Sequence, residues 1–470
     1  MNNMRHKDIL PDKDLPFKHC KLGREKYATN LTSIVSTYAD GFVLAINNEW
    51  GTGKTTFVKM WRQHLENEKF KTLYFNAWEH DFDSNPLAII LGELKTLVGT
   101  KDDTYKRLLK KGAIFSKKSL PALAKLILGS RIDTKEIVDL IKDSTEGVVE
   151  VLKDQIDEYA AKKEGLIDFR NELEKFIKEH NEGKPLVFII DELDRCRPNY
   201  AVEVLEQIKH FFSVSGIVFV LSIDKEQLAH AVRGVYGSEN IKADEYLRRF
   251  IDLEYRIPEP NVKELCDYLY TYFQFDEFLD LSNVPNVHQE LLKEKSVFLK
   301  FSVFFLQDKK LTRQTEKLYA HARIALKTFK KNHYVFPSVF LLLIYIREYD
   351  FEFYKDIKIT KFSIQELVDK LEQDYFSKVK DDNLQTVLST ISLLLMLYNN
   401  LVREIDYSSQ LVIRNNETNT ETLAFKIKIG GDRSEQILVD YFRSYGRNNI
   451  EGVSIKYLLD KIDLLEGLIN

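Results

Sequence analysis

The sequence predicts an α/β fold in which a mostly parallel sheet is flanked by helices. Short apolar runs typical of buried strands recur at residues 42–46, 72–75, 186–190 and 217–221. Amphipathic segments with helical spacing lie between them. Polar residues follow directly after the runs, as expected where the carboxyl ends of parallel strands form a ligand crevice.

The composition is that of a globular protein. A chain of 470 residues is longer than a single hydrophobic core usually accommodates, so we expect two or three domains. Hydrophobic residues at 44% and charged residues at 30% exclude a disordered polymer and a multi-span membrane protein. A net charge of -4 argues against a protein that coats nucleic acid without sequence preference. Three distant cysteines indicate neither a disulfide framework nor a zinc cluster, and favour the cytoplasm.

No secretory signal or transmembrane helix is predicted, because the first residues are polar and the apolar runs are short. The most apolar runs, 120–128 and 334–346, are interrupted by polar residues or proline, so we expect them to be buried core helices. An amphipathic helix precedes the first strand, and Arg24 stands just before it. Arg24 lies either near a bound base or in ordinary packing, and we favour packing.

The loop after the first strand matches a phosphate-binding loop. Of the consensus G-x-x-x-x-G-K-[ST], Gly53, Lys54 and Thr55 are present and Asn48 replaces the first glycine. Asn tolerates positive φ, so we expect Asn48 in a turn with unusual backbone angles. Lys54 would reach the β- and γ-phosphates and Thr55 would place its hydroxyl on Mg²⁺. The predicted nucleotide-binding residues are Asn48, Glu49, Trp50, Gly51, Thr52, Gly53, Lys54, Thr55 and Thr56.

Asn76, Ala77 and Trp78 follow the second strand and are site candidates by position. The acidic and histidine residues after them suggest a metal site, but their spacing matches no ligand template, and a solvated loop is favoured. These residues are Glu79, His80, Asp81 and Asp83.

We expect residues 96–183 to form a mostly helical insertion, because the segment is too long for a simple crossover. Its basic part, 101–131, is a candidate for binding nucleic acid or an anionic membrane surface. The favoured alternative is a helical face that is exposed only to solvent.

The strand at 186–190 ends in Asp191 and Glu192. Asp191 is expected to hold Mg²⁺ through its water shell, and Glu192 to orient and polarise an attacking water. Together with the phosphate loop, this pair predicts nucleotide binding.

Three further positions complete the predicted site. Asp224, after the strand at 217–221, is a candidate for sensing the γ-phosphate. Arg248 and Arg249, before a strand at 251–257, are candidates for an arginine finger acting on a neighbouring subunit, with surface salt bridges as the alternative.

With these residues assembled, the chain resembles the KAP family of P-loop NTPases, a branch allied to the STAND and AAA-like ATPases. The resemblance covers roughly residues 14–330. The matching segments are EWGTGKTTF (49–57), FNAW (75–78), IIDELDRC (189–196), VLSID (220–224) and YLRRFIDLEYRIP (246–258). In that family the first loop glycine is usual and the carboxylate pair is often Asp-Asp, so Asn48 and Glu192 are departures. Many relatives carry membrane helices between the two nucleotide motifs, which this sequence does not show.

The resemblance implies an additional strand between the phosphate loop and the Asp191 strand. It also implies a P-loop core at 1–95 and 184–260 and a helical lid at 261–330. In the lid, Arg313 is either a γ-phosphate sensor or an exposed arginine at a helix start. Residues 331–470 lie outside the resemblance. We expect there a mainly helical module with a hairpin formed by 411–413 and 425–429.

The predicted function is a Mg²⁺-dependent ATPase that switches or assembles a larger complex. The predicted catalytic residues are Lys54, Glu192, Asp224, Arg248, Arg249 and Arg313. ATP is preferred because no N-K-x-D base-reading motif follows the core. A nucleotide-bound scaffold with little turnover is the alternative, and a phosphotransferase is disfavoured. An arginine finger acting on a neighbouring subunit would imply a homo-oligomer on ATP binding. The resemblance implies partner proteins encoded nearby and a role in anti-phage defence.

Overall fold

A computed structural model shows two compact units, Met1–Glu259 and Pro260–Asn470. The structure describes residues 10–38, 41–82, 85–98, 102–115, 155–181, 183–209, 214–237, 240–279, 294–306, 312–329, 335–377, 379, 381–415, 417, 420–447 and 452–464.

The first unit is built on a five-stranded sheet. Its strands are β1 (Phe42–Asn47), β2 (Thr72–Asn76), β3 (Leu186–Asp191), β4 (Ile217–Ile223) and β5 (Leu253–Tyr255). Their order is β2-β3-β4-β1-β5, and every neighbouring pair is parallel. The α/β prediction is therefore confirmed, as is the additional strand, because β4 lies between β1 and β3.

Helices cover both faces of this sheet. In chain order they are α1 (Glu25–Thr37), α2 (Lys54–Asn67), α3 (Pro86–Leu94), α4 (Asp103–Phe115), α5 (Gln155–His180), α6 (Pro198–Lys209), α7 (Lys225–Tyr236) and α8 (Ala243–Leu247).

The two faces of β3 show why helices are needed on both sides of the sheet. Side chains alternate along a strand, so Val187 and Ile189 point to one face and Phe188 and Ile190 to the other. Val187 and Ile189 join a buried cluster with residues of α1 and α2, whereas Phe188 and Ile190 join one with residues of α3 to α7. All six residues of β3 are buried.

The second unit is mainly helical. Its helices are α9 (Val262–Tyr272), α10 (Asp276–Leu279), α11 (Glu294–Leu306), α12 (Thr312–Leu326), α13 (Pro337–Tyr349), α14 (Phe351–Lys358), α15 (Ile364–Asp374), α16 (Asp381–Arg403), α17 (Asp432–Arg447) and α18 (Lys456–Ile462).

The predicted hairpin is present, but its second strand was assigned to the wrong residues. Strand β6 (Val412–Asn415) pairs antiparallel with β7 (Thr420–Leu423), not with residues 425–429. The later segment is not a strand because side chains of α15 form hydrogen bonds with the backbone groups that a partner strand would need. Gln365 bonds the N–H and the carbonyl of Lys426, and Glu372 accepts the N–H groups of Lys428 and Ile429.

The apolar run at 334–346 forms a core helix from Pro337 onward, as predicted, and residue 334 lies outside the described residues. Every residue from Pro337 to Ile346 in α13 is buried. The run at 120–128 lies outside the described residues. Among the described helices, Asp382–Arg403 alone is long and apolar enough to cross a membrane, and 72% of its most apolar stretch is buried inside the protein.

Candidate nucleotide-binding site

The register of the sheet brings the polar strand ends together. Asn76 pairs with Asp191, and Asp191 pairs with Ser222 of β4. Ser222 also pairs with Ile46, two residues before Asn48. Because all these strands are parallel, the loop after β1 and the residues after β3 meet at one edge, as the sequence predicts.

Two glycines shape the phosphate loop. Gly51 and Gly53 have φ values of 83° and 81°, a left-handed conformation that disfavours residues with a Cβ. Gly53 is the N-cap of α2, so Lys54, Thr55 and Thr56 form the first turn of that helix. The helix N-terminus with its unpaired N–H groups is a natural anion site.

Arg24 supports this loop from its buried side. Its guanidinium donates to the carbonyl of Thr52 at 2.7 Å and to that of Gly53 at 3.2 Å. Arg24 is 5% exposed, and burial lowers the pKa of its guanidinium. A Cβ at Gly53 would lie 3.0 Å from Arg24 Nη1. These contacts correspond to the packing interpretation of Arg24, here directed at the phosphate loop itself.

Lys54 is buried beside its own loop. Its ammonium donates to the backbone carbonyls of Asn48 and Glu49. Burial lowers the pKa of Lys54, while the nearby carboxylates of Asp194, Asp224 and Asp191 oppose that shift. A cation therefore stands where the loop backbone and the acidic strand ends meet.

Trp50 and Glu49 connect the loop to its surroundings. The indole N–H of Trp50 donates to the Asp194 carboxylate. Glu49 lies 3.8 Å from the Arg256 guanidinium, and its carbonyl accepts the hydroxyl of Thr52 at 2.8 Å.

Asn48 does not adopt the unusual backbone angles that we expected. It is not among the described residues with positive φ, so that prediction was wrong. Its backbone N–H continues the ladder to β4 by donating to Ile223 at 3.2 Å. Its side-chain amide donates to the Ile257 carbonyl at 2.8 Å and accepts the Ile257 N–H at 2.9 Å. Asn48 therefore binds the backbone of Ile257 through its side-chain amide, a contact that a glycine at this position could not make.

Asp191 is fully buried, and both of its carboxylate oxygens are hydrogen-bonded. Oδ2 accepts the Tyr74 hydroxyl at 2.9 Å, and Oδ1 accepts the Glu192 N–H at 3.0 Å. Burial, together with the adjacent Asp191 carboxylate, raises the pKa of Tyr74. Tyr74 thus fixes the orientation of Asp191, a role that its position within a strand does not reveal.

The donor set fits a magnesium ion better than a softer metal. The Thr55 hydroxyl and the Asp191 carboxylate are hard oxygen donors, and Mg²⁺ is usually bound by one or two carboxylates together with substrate phosphates. No group of three or more His, Cys, Asp or Glu side chains that could hold a metal occurs in the described part of the chain. A cation at Thr55 and Asp191 would therefore need phosphate and water oxygens to complete its shell.

The acidic loop after β2 has local partners. Glu79 accepts the Asn76 amide at 2.9 Å, Asp81 forms an ion pair with Arg197 at 2.8 Å, and His80 stacks on Phe75. Asp83 lies outside the described residues.

Glu192 has a left-handed backbone, with φ 60° and ψ 24°. For a residue with a Cβ this conformation costs roughly 1–2 kcal/mol. Its carboxylate accepts from Arg195 at 2.6 Å, Thr55 at 3.4 Å and Asn76 at 3.4 Å. Burial raises the pKa of Glu192, and Arg195 opposes the shift. The site thus joins this acid to the phosphate loop through Thr55.

Asp224 has a structural partner at the same edge. It is the N-cap of α7, where its carboxylate accepts the Gln227 N–H at 3.3 Å, and it is 7% exposed. Its role as a γ-phosphate sensor stays a prediction. The hydroxyl of Ser222, fully buried and in register with Asp191, has no hydrogen-bond partner among the described residues.

Arg248 and Arg249 lie at the opposite end of the sheet. They follow α8 and precede β5, which runs parallel to β1, whereas the phosphate loop follows β1. Both are exposed, and within the described part of the chain neither side chain has a hydrogen bond or ion pair. They therefore lie away from the phosphate loop of the same chain. Arg313 is in α12, but its side chain lies outside the described residues.

The basic stretch at 101–131 is described only through residue 115. There its cations pair with acids of the same insertion. Arg107 contacts Glu172 at 2.8 Å and Lys111 contacts Asp168 at 2.5 Å, both across the α4–α5 pair. These pairs correspond to a solvated helical face.

Comparison with known proteins adds three partial similarities. The uncharacterised protein MJ0182 of Methanocaldococcus jannaschii is 30% identical over 175 residues, which are 32% of this chain and 89% of that protein. The C. elegans PCH-2 structure is similar with a TM-score of 0.30 and 10% identity, over 71% of this chain and 69% of that one. A structure of Drosophila ORC bound to poly(dA/dT) DNA and Cdc6 gives a TM-score of 0.29 and 12% identity, over 95% of this chain and 61% of that one.

The sequence profile of the KAP family P-loop domain matches residues 24–283, which is more than half of the chain. The matched region contains the phosphate loop, the Asp191–Glu192 pair and the strands that bring them together. The chain therefore belongs to the KAP family of P-loop NTPases.

Proposed function

We propose that the chain binds ATP with Mg²⁺ and hydrolyses it, and that this cycle switches or assembles a larger complex. The observation that carries the proposal is the contact between Thr55 and Glu192. Their side chains lie 3.4 Å apart although 137 positions separate them in sequence. One belongs to the phosphate-binding half of the site and the other is its candidate water-activating acid, so both halves meet at one point.

Each group of the site has a role in this reaction. The N–H groups of the loop and the N-terminus of α2 would bind the phosphate oxygens, and the Lys54 ammonium would balance developing charge on the γ-phosphate. Glu192 would orient a water and accept its proton. Thr55 and Asp191 would hold Mg²⁺, which when bound neutralises phosphate charge.

Phosphate release measured with ATP, with and without Mg²⁺, tests the proposal. We expect turnover with ATP and Mg²⁺, a lower rate with GTP, and a fall to background when a chelator removes the cation. Release at the same rate with the chelator present would contradict the assigned Mg²⁺ dependence. No release above background under any of these conditions would contradict hydrolysis.

A second candidate function is that of a nucleotide-bound scaffold with little turnover. One observation favours it: the Lys54 ammonium and both Asp191 oxygens are already engaged by protein groups. These contacts occupy two of the three N–H donors of Lys54 and one acceptor site on each Asp191 oxygen, so they compete with a phosphate at Lys54 and with Mg²⁺ at Asp191. The scaffold differs from the ATPase in one measurable way, because it binds ATP without releasing phosphate.

The ATPase would act as a homo-oligomer assembled on ATP binding, with Arg248 and Arg249 contacting the neighbouring subunit's nucleotide. Their exposure and their position at the far end of the sheet from the loop support action between subunits. Arginine fingers contribute roughly 10³–10⁵ in turnover. We therefore expect the Arg248→Ala/Arg249→Ala variant to lose at least about 100-fold in kcat while retaining ATP binding.

Mixing that variant with Lys54→Ala gives the sharpest test of shared sites. Each variant alone should be inactive, and the mixture should recover activity. The recovery arises because a Lys54→Ala subunit can supply its arginines to a neighbour whose phosphate loop is intact. A mixture as inactive as its components would contradict the shared site. So would a single monomeric mass in the presence of non-hydrolysable ATP and Mg²⁺.

The biological setting that we propose rests on the family resemblance. It is anti-phage defence in the cytoplasm, with partner proteins encoded nearby. The three cysteines, Cys20, Cys196 and Cys266, are all free, which supports a reducing compartment. The phage assay described in the Discussion tests this role.

A further inference from the structure

We propose that Arg195 is a positioning residue that holds Glu192 ready for hydrolysis, and that the ring of Trp78 holds Arg195 in place. This inference rests on the proposed ATPase function and assigns a task to two segments, FNAW and LDRC, that otherwise only mark the family. It starts from the contacts of the Glu192 carboxylate.

Arg195 makes the shortest contact of that carboxylate. Its Nη1 lies 2.6 Å from Glu192 Oε1, whereas Thr55 and Asn76 lie at 3.4 Å. The two residues also share one turn, because the Arg195 N–H donates to the Glu192 carbonyl at 3.1 Å. The side chain of Glu192 is only 12% exposed, so few other orientations are open to it.

Trp78 is the second contact of the Arg195 guanidinium. The guanidinium carbon of Arg195 lies 5.7 Å from the centre of the Trp78 ring, within the range of a cation–π interaction. The backbone at Trp78 is held by Asn76, whose side-chain oxygen accepts the backbone N–H of Trp78 at 3.1 Å. The amide nitrogen of the same Asn76 donates to Glu192. A closed set of contacts thus joins Trp78, Arg195, Glu192 and Asn76.

This arrangement contributes little to the stability of the fold. Trp78 is 53% exposed and therefore adds little to a core, and the Arg195 side chain is 29% exposed. Partly exposed ion pairs contribute little to stability. What the contacts do is fix the direction of one carboxylate whose backbone is already held in a strained conformation. A general base that activates the water attacking the γ-phosphate must have its carboxylate held in one orientation.

The test is a set of steady-state and ATP-binding measurements on the full chain. We expect Arg195→Ala to lower kcat by roughly 10- to 100-fold, the scale on which misplacement of a reacting group acts, with Kd for ATP nearly unchanged. Arg195→Lys should recover part of the rate, because it keeps a cation but loses the planar fork. Trp78→Ala should lower kcat less than Arg195→Ala, and Trp78→Phe should recover most of that loss.

Arg197→Ala is the matched control. Arg197 stands two residues away, is 64% exposed and forms an ion pair with Asp81 instead of Glu192. We expect its kcat to stay within about twofold of the wild type, as for a surface pair outside the site.

A double variant separates positioning from a general structural effect. If Arg195 acts through Glu192, then Arg195→Ala should have no further effect on kcat once Glu192→Gln is present. Additive losses would overturn the inference, and so would an unchanged or higher kcat in Arg195→Ala. Either result leaves the ATPase proposal standing. Absence of turnover in the wild type would instead overturn both, so the two failures are distinguishable.

Discussion

Lys54→Ala should release no phosphate above background and should bind ATP about 10- to 100-fold more weakly, the scale of a lost hydrogen bond to a charged group. The ammonium lies at the junction of the loop carbonyls and three carboxylates, those of Asp194, Asp224 and Asp191. Without it, the repulsion between these carboxylates and a triphosphate is offset less. Binding of a fluorescent ATP analogue and phosphate release measure both effects.

Lys26→Ala is the control for the loss of a lysine. Lys26 is an exposed residue in the first turn of α1. We expect the ATP affinity and the phosphate-release rate of this variant to match those of the wild type. Wild-type affinity or turnover in Lys54→Ala would contradict the assignment of the loop. Thermal unfolding of both variants verifies that the comparison is made on folded protein.

The same variant tests the defence role. Cells producing the wild type, with the neighbouring genes present, should reduce phage plating, and cells producing Lys54→Ala should not. Equal plating on both would refute ATP-driven defence, whatever the enzyme does in solution.

Glu192→Gln should lower kcat by about 10²- to 10⁴-fold, the usual contribution of a general base. The substitution keeps the size of the side chain but removes its charge and its ability to accept a proton. We expect ATP affinity to stay within a few-fold of the wild type, because the phosphate loop is untouched. Stopped-flow binding and single-turnover hydrolysis separate the two quantities.

Glu226→Gln is the matched control, since Glu226 is exposed in the first turn of α7 at the same edge of the sheet. It should retain the wild-type rate. If Glu192→Gln also retains it, water activation by Glu192 is wrong. If neither the wild type nor the variant turns over although both bind ATP, the scaffold function is supported.

The fold of the first unit could be predicted because its signals are local. The apolar runs at 42–46, 72–75 and 186–190 each lie within the observed β1, β2 and β3. A fully buried parallel strand needs an apolar side chain on both faces, so its residues are recognisable without knowledge of its partners. The edge strand β5 is shorter than the predicted 251–257, and its Leu253 and Glu254 are exposed, as edge positions permit.

The site could be predicted only in part because its remaining contacts are made between distant positions. The phosphate loop and Asp191 follow strands and are visible in the sequence, but the Tyr74 hydroxyl reaches Asp191 across 117 positions. Asn48 was misjudged for the same reason, since its partner Ile257 is 209 positions away. A motif indicates which backbone conformation a residue tolerates, whereas the fold determines which side chains it meets.

The paired hydrogen bonds between Asn48 and Ile257 have a mechanical consequence. Asn48 opens the phosphate loop, and Ile257 stands two residues before Glu259, where the first unit ends. Pro258 and Pro260, which fix their own φ angles, restrict rotation of the chain between Ile257 and the second unit. A displacement of the loop must either break both bonds, at about 0.5–1.5 kcal/mol each, or pull Ile257 with it. The Asn48 amide therefore links the position of the phosphate loop to that of Ile257, close to the end of the first unit.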